Sequence, residues 1–332
     1  MKATTYLAAL LILGFAFQPR QSHAEEAPLR IGWVYAMANA PAPVADKKGF
    51  YAEQGLKVEL KSFGDGPVLQ QALAAGELDV AYIGAPPVYQ WYSRGLNCRI
   101  LAKASFGQAA VIAKDPAIAH LSDLRGRKLA GVARGSGMDV ILRGFVLKEA
   151  AGLDPDHDLN IVQMPVGNMN AALAGHSVDA AFSWEPFISQ GVLRGESRVV
   201  FDVNQALPAY PSYVIMAPTK TLQTRSGDVV KLLRAHAKAV AFLNDHQDEA
   251  DAIIAEEFKL EGGKTADGRD IPPTAIVAEA RKRLGWSDKL DSSDLAFIQR
   301  LMNYSLALGF ISKPLEATQI VDLSYQQRAA LP

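Results

Sequence analysis

Two short runs in this 332-residue chain carry residue types that can bind a small ligand. Gly135-Ser136-Gly137 stands directly before an apolar-periodic stretch that closes at Ala151-Gly152, so it opens a helix. A helix N-terminus presents unpaired N–H groups and the positive end of the backbone dipole. Glycines let a ligand oxygen approach the backbone, and a serine hydroxyl can donate. That is anion-binding chemistry. A serine here is equally an ordinary N-cap, and the residues alone leave both readings open. Arg134 beside it reads as a solvated side chain. The second run is Trp184-Glu185-Pro186. Glu185 can accept from an amine or ring N–H of a ligand, or stabilise a helix start as a first-turn carboxylate. Trp184 can wall a pocket or fill the core.

Catalytic chemistry has no comparable foothold, and no residue is assigned a catalytic, metal-ligating or cofactor-binding role. The Gly-x-Ser-x-Gly elbow and the Gly-x-x-x-x-Gly-Lys-Ser/Thr loop are both absent. The six histidines, His23, His120, His157, His176, His236 and His246, stand singly, without zinc-ligand spacing. Cys98 is the one cysteine, so no internal disulfide can form, and it reads as a small buried hydrophobe.

The elements that position these runs are legible as a repeat. Ala72-Leu73-Ala74, Asp79, Ala81 and Pro86 recur without a gap as Ala172-Leu173-Ala174, Asp179, Ala181 and Pro186. Each copy reads as a short helix, a turn, a buried strand and a proline that opens the next helix. Two copies predict two similar α/β lobes with a cleft between them. Around them strands and helices alternate: strands at 29–35, 56–63, 78–83, 99–105, 110–113, 128–133, 160–164, 198–202 and 213–217, and helices from Pro41 to Gln54 and from Gly135 to Ala151. Short connections of this kind indicate mainly parallel sheets. From Gly227 onward the period is helical, over 228–246, 248–259, 273–284 and 292–308, and these stripes are expected to bury against the first lobe. The chain is expected to cross between lobes near 106–112 and 212–217, which allows hinge closure. The expected division is 25–110 with 216–332 for lobe 1 and 111–215 for lobe 2.

Residues 1–24 read as a secretory signal peptide: Lys2, an apolar Leu7 to Phe17 run, and Ser22-His23-Ala24 as cleavage site. Its removal takes away Lys2 and Arg20 and no acid, moving the net charge from -1 to -3. A mildly acidic chain with interspersed signs has no electrostatic footprint for nucleic acid. No second apolar run approaches membrane-spanning length. The expected location is periplasmic.

Taken together, Lys48-Gly49-Phe50-Tyr51-Ala52-Glu53-Gln54-Gly55-Leu56, the stretch Ala72 to Ala81, Leu121-Ser122-Asp123-Leu124-Arg125-Gly126-Arg127-Lys128, Gly135-Ser136-Gly137 and Trp184-Glu185-Pro186 span most of residues 30–220. In type and order they resemble the periplasmic substrate-binding proteins of ABC importers for taurine, alkanesulfonates and nitrate, and the related pyrimidine-precursor binders. The resemblance implies an α/β, type II periplasmic-binding fold with two hinge crossings. It implies an extracytoplasmic protein that captures a ligand and delivers it to ABC permease and ATPase subunits as a monomer, without cofactor or chemistry. It also implies that the Gly135-Ser136-Gly137 turn contacts ligand. The expected ligand is a small organic anion, sulfonate- or taurine-like or an aromatic acid. Nitrate, a pyrimidine precursor, or a same-fold dehydratase or pyrimidine-synthase-like enzyme stand as alternatives.

Ligands of parallel α/β sheets sit at the carboxyl ends of strands. That rule adds Tyr35 and Asn39, Gly64, Asp65 and Gly66, Gly84, Ala85 and Pro86, and Asn168 to the candidates. Asn39 is expected to cap the helix that starts at Pro41. Phe106, Tyr210, Ser212 and Tyr213 are placed where hinge and cleft meet. Asp79 and Asp179, matched in the two copies, read as structural turn residues. Removing the Ser136 hydroxyl and the Glu185 carboxylate together is expected to weaken binding and leave stability unchanged.

Overall fold

The computed structural model describes residues 27–331, so the expected signal peptide lies outside the described residues. From the start the chain runs β1 (Leu29–Val34), α1 (Pro41–Lys47), α2 (Phe50–Glu53), β2 (Val58–Phe63), α3 (Gly66–Ala74), β3 (Val80–Ile83), α4 (Ala85–Tyr92), β4 (Cys98–Gly107) and β5 (Ala109–Ala113). Next come β6 (Lys128–Gly131), α5 (Gly137–Val140) running on as a π-helix over Ile141–Ala150, β7 (Asn160–Gln163), α6 (Met169–Ala174), β8 (Ala180–Trp184), α7 (Phe187–Leu193) and β9 (Arg198–Asp202). The remainder is α8 (Val203–Ala206), β10 (Pro211–Pro218), α9 (Thr219–Thr224), α10 (Ser226–Asp245), α11 (Gln247–Glu257), the hairpin β11 (Gly263–Lys264) and β12 (Asp270–Ile271), α12 (Pro273–Ala280), β13 (Leu284–Trp286), α13 (Ser292–Ala307) and α14 (Ser324–Ala330).

Two sheets result, ordered β13-β4-β10-β3-β1-β2 and β7-β6-β8-β5-β9. The repeat is visible in them. In the first, β1 lies parallel between β2 and β3, and β10 pairs antiparallel with β3. In the second, β6 lies parallel between β7 and β8, and β5 pairs antiparallel with β8. The central strands β3, β5 and β8 are buried along their whole length, as continuous apolar runs with layers on both faces should be. The two repeated aspartates do the same work. Arg30 N–H donates to Asp79 at 2.9 Å while Asp79 N–H donates to Arg30 O. Lys128 N–H donates to Asp179 at 2.7 Å while Asp179 N–H donates to Lys128 O. Each carboxylate thus ties the start of its strand to the strand beside it.

Several boundaries differ from expectation. The helix predicted from Pro41 to Gln54 breaks at Lys48-Gly49, where Gly49 takes a φ of 72°, a left-handed conformation that ends a helix. The stretch predicted helical to 284 stops at Ala280, and Leu284–Trp286 becomes a strand on β4. Pro186 precedes its helix through a cis bond, whereas Pro86 lies within α4.

The chain leaves the first sheet through Gly107-Gln108 and returns between Asp202 and Pro211, the return a few residues before the expected place. Gly107 has a φ of 77°, and a Cβ there would stand 2.0 Å from Arg283 O, so only glycine fits. The C-terminal helices divide between the layers. α10 packs on α1, α2 and α14 of the first lobe, whereas α12 packs on α7 beside the second sheet. Arg194 secures the latter segment by donating to Gly262 O at 2.9 Å. Helix α13 is fixed to the first lobe: Lys103 on β4 pairs with buried Asp294 at 2.6 Å, and Tyr89 on α4 bonds Leu301 O and Ser305. Among the described residues no helix is long and apolar enough to cross a membrane.

Candidate functional site

Strand ends from both sheets converge on one cavity between them. Its wall is Val34 at the end of β1, Gly64, Asp65 and Gly66 after β2, Gly84 and Pro87 after β3, and Ser212 and Tyr213 at the start of β10. The second sheet contributes Val132 and Ala133 after β6, Ser136, Gly137 and Met138 at the start of α5, and Trp184 at the end of β8. The enclosed space is about 40 Å³, room for roughly three waters or an oxyanion group of similar size. A ligand with a longer organic part fits only if the lobes stand slightly further apart.

The lobes touch at the cavity edge through backbone. A Cβ on Gly84 would stand 3.2 Å from Gly137 Cα, so side chains there would hold the two walls apart. Gln90 on α4 donates across the gap to Gly135 O at 2.9 Å.

The second-lobe wall is a set of donors. Ser136 caps α5, its Oγ accepting from Asp139 N–H at 3.2 Å, which leaves the hydroxyl hydrogen to point outward. Gly137 begins the helix, where N–H groups lack intrahelical acceptors. Trp184 is buried, and its Nε1–H has no partner although it lines the cavity. A buried indole N–H without an acceptor costs free energy and marks a place for one. Below the turn, Asp139 accepts from Gly135 N–H at 2.8 Å and from Arg143 Nε at 2.8 Å. Burial pushes the Asp139 carboxyl up, against the pull of the Gly135 N–H and Arg143.

Of the residues singled out by sequence, Ser136, Gly137, Trp184, Gly64, Asp65 and Tyr213 meet at this cavity, together with Gly66, Gly84 and Ser212 from the same strand-end turns. Others do not. Gly135 lies outside the lining, its N–H taken by Asp139 and its carbonyl by Gln90. Glu185 is fully buried behind the wall, where Arg283 Nη1 donates to it at 3.0 Å and Ser189 N–H at 3.1 Å. Burial raises its carboxyl pKa while Arg283 lowers it. Glu185 therefore fastens the second lobe to the segment before β13, where Arg283 also lies 3.6 Å from Asp202 and 3.9 Å from Glu279; its carboxylate is engaged within the protein, outside the cavity lining. Asn39 caps nothing: buried, it donates to Val34 O at 2.8 Å, and its Oδ1 has no partner. Ala85 and Pro86 sit just behind Gly84, with Pro86 against Gly137 at the lobe contact. Phe106 covers Gly285 beside the place where the chain leaves the first sheet. Asn168 is exposed and makes no cap bond. Tyr35 is 40% exposed and outside the lining, its ring 5.0 Å from that of Phe258.

Sequence reading missed Val34, Pro87, Val132, Ala133 and Met138, all apolar residues at strand or helix ends. The strand-end rule reaches Val132 and Ala133, since β6 stops at Gly131 rather than at 133. Nothing in their types marks the other three. It also missed Gln90, which looks like any polar residue on a helix. Among the described residues no group of three His, Cys, Asp or Glu side chains could hold a metal ion.

This chain is similar to known proteins over most of its length. A binding protein of Brucella abortus (strain 2308) is 32% identical over 189 residues, which are 57% of this chain and 57% of that protein. The aligned stretch thus spans little more than half of that relative. An aliphatic sulfonates-binding protein of Bacillus subtilis (strain 168) is 22% identical over 315 residues, 92% of this chain and 89% of the relative. In three dimensions the alkanesulfonate-binding protein of Xanthomonas axonopodis pv. citri, solved bound to MOPS, superposes with a TM-score of 0.76 at 19% identity, covering 90% of this chain and 99% of that one. A desulfurization enzyme superposes less well, with a TM-score of 0.65 at 18% identity over 91% and 98% of the two chains. At these identities the structural likeness establishes the fold, that of periplasmic binding proteins. The family model for the NMT1-like family matches residues 22–257, and with most of the chain covered the protein belongs to that family.

Proposed function

We propose that this protein is the extracytoplasmic solute-binding component of an ABC importer and captures a small organic anion, sulfonate-like or an aromatic acid, between its two lobes. The observation that carries the reading is the partnerless, buried Trp184 Nε1–H beside Ser136 and the first N–H groups of α5, in a cavity walled by both lobes. Neutral oriented donors at a helix start suit an anion that must later be released, because they bind it without a buried countercharge. The sulfonate-binding names of relatives support the same ligand class. Its partners are then a permease and ATPase pair, its working form a monomer, and its location the periplasm.

The enzyme likeness favours a second reading, in which the same cavity does chemistry. The lining supports binding instead. Its titratable groups are Asp65 and Tyr213, and burial pushes the Tyr213 phenol up, away from a role as base or nucleophile. Cys98 is buried elsewhere, with its thiol pushed up to about 12 by desolvation.

A thermal-shift screen of the purified mature chain against sulfonates, taurine, nitrate, aromatic acids and pyrimidines tests the proposal, since a ligand of the native state raises apparent stability. For the compound that stabilises it, Trp184→Phe should weaken binding by about tenfold, the worth of a hydrogen bond to a charged group. The ligand-free melting temperature should stay nearly constant, because the lost N–H has no protein partner. Unchanged affinity in Trp184→Phe, or turnover of the compound, would contradict the reading.

A further inference from the structure

We propose that Asp65 sets the specificity of this cavity, admitting anions that also carry an ammonium or similar cationic N–H group and turning away anions that carry none. This rests on the reading of the cavity as an anion-capturing site. Asp65 is the one charged residue in its lining. The cations nearest in sequence to the donor wall are spent elsewhere. Arg143 pairs with Asp139 and Asp156, both at 2.8 Å. Arg134 is directed to Asp156 and the ring of Phe310. A bare anion in the cavity therefore meets neutral donors on one lobe and a carboxylate on the other. Like charges in a confined, partly desolvated space repel strongly. A dipolar ligand meets complementary groups on both walls: Trp184, Ser136 and Gly137 on the second lobe for its anionic end, Asp65 on the first for its cationic end. Such a ligand bridges the lobes, which a ligand held by one wall cannot do.

Asp65 also has a structural duty, and the geometry separates the two. It is the N-cap of α3, with Oδ1 accepting Val68 N–H at 2.9 Å. One oxygen suffices for a cap, and Asn or Ser caps comparably without charge. The other oxygen and the negative charge are what a cap does not need.

The test is calorimetric titration of the mature protein with two matched pairs, taurine against ethanesulfonate and β-alanine against propionate. In each pair the members differ by one ammonium group. The wild-type chain should bind the ammonium member of a bound pair at least about tenfold more tightly, and Asp65→Asn and Asp65→Ser should bring the two within about threefold of each other. Because both substitutions keep a cap, their melting temperatures should stay close to wild type, and a structural role alone would leave the ratio untouched. The inference is overturned if the plain anion binds the wild-type chain as tightly as its amino counterpart, or if the ratio survives both substitutions. Those results leave anion capture standing. If none of the four probes binds the wild-type chain, this inference falls, and the wider thermal-shift screen decides the reading of the cavity.

Discussion

At the level of single residues, what matters is which polar group is left without a partner and which is already engaged. Glu185 and Asp65 are both acids at strand ends. The first is engaged by Arg283 and Ser189, whereas the second lines the cavity and gives one oxygen, Oδ1, to the cap of α3. A sequence shows neither fact, because Arg283 lies 98 positions from Glu185 and arrives through the β13 segment. Ser136 and Trp184, by contrast, were legible from the turn chemistry and the strand end. His236 offers a test that does not involve ligand. Fully buried on α10, it bonds Lys103 O through Nε2 at 3.0 Å. Burial holds its pKa down to about 4 against an ordinary 6.5. The native state thus takes up this proton later than the unfolded chain does. The stabilising contribution is complete above pH 6.5 and is lost as pH falls toward 4, at about 1.4 kcal/mol per unit. Urea unfolding of wild type and His236→Asn should show the wild-type advantage at pH 7 shrinking by roughly 2–3 kcal/mol at pH 4.5. A constant difference across that range would show that His236 is not held neutral.

At the level of elements, the repeat foretold the two β-α-β cores and their matched aspartates, since local pattern and turn residues repeat together. The antiparallel exchange of β5 and β10 and the attachment of α12 to the second sheet were not foretold, because long-range pairing leaves no local period. The helix that opens at Ser136 illustrates the difference. Its start and end were legible, but not its π-helical turn over Ile141–Ala150 or its contact with α13. Gly144 lies at that contact: a Cβ there would stand 2.4 Å from Tyr304 Cγ on α13. Glu149 accepts from both Arg300 and Tyr304 beside it. Since α13 is fixed to the first lobe and the π-helix packs with the second sheet, the proposed closure of the lobes would form this seam. Overpacking costs about 1–3 kcal/mol, so Gly144→Ala should weaken ligand binding about 5- to 150-fold without touching the cavity, measured by titration with the compound found in the screen. The ligand-free melting temperature should change little. A large fall in that temperature with unaltered affinity would mean the seam stays closed whether or not ligand is bound.

At the level of the whole molecule, two similar α/β bodies face each other across a space that neither encloses alone. Backbone contact at Gly84 and Gly137 and the Gln90 bond to Gly135 hold the walls together at the edge of that space. The proposed function requires a small anion to be clamped there by donors of the second lobe. A crystal structure of the mature chain with the stabilising compound tests it most directly. An oxyanion group is expected within hydrogen-bond distance of Trp184 Nε1 and Gly137 N, with both sheets' strand ends around it. Density for the compound anywhere else, such as the surface groove between the 206–211 loop and α13, with the space beside Trp184 holding only solvent, would contradict it.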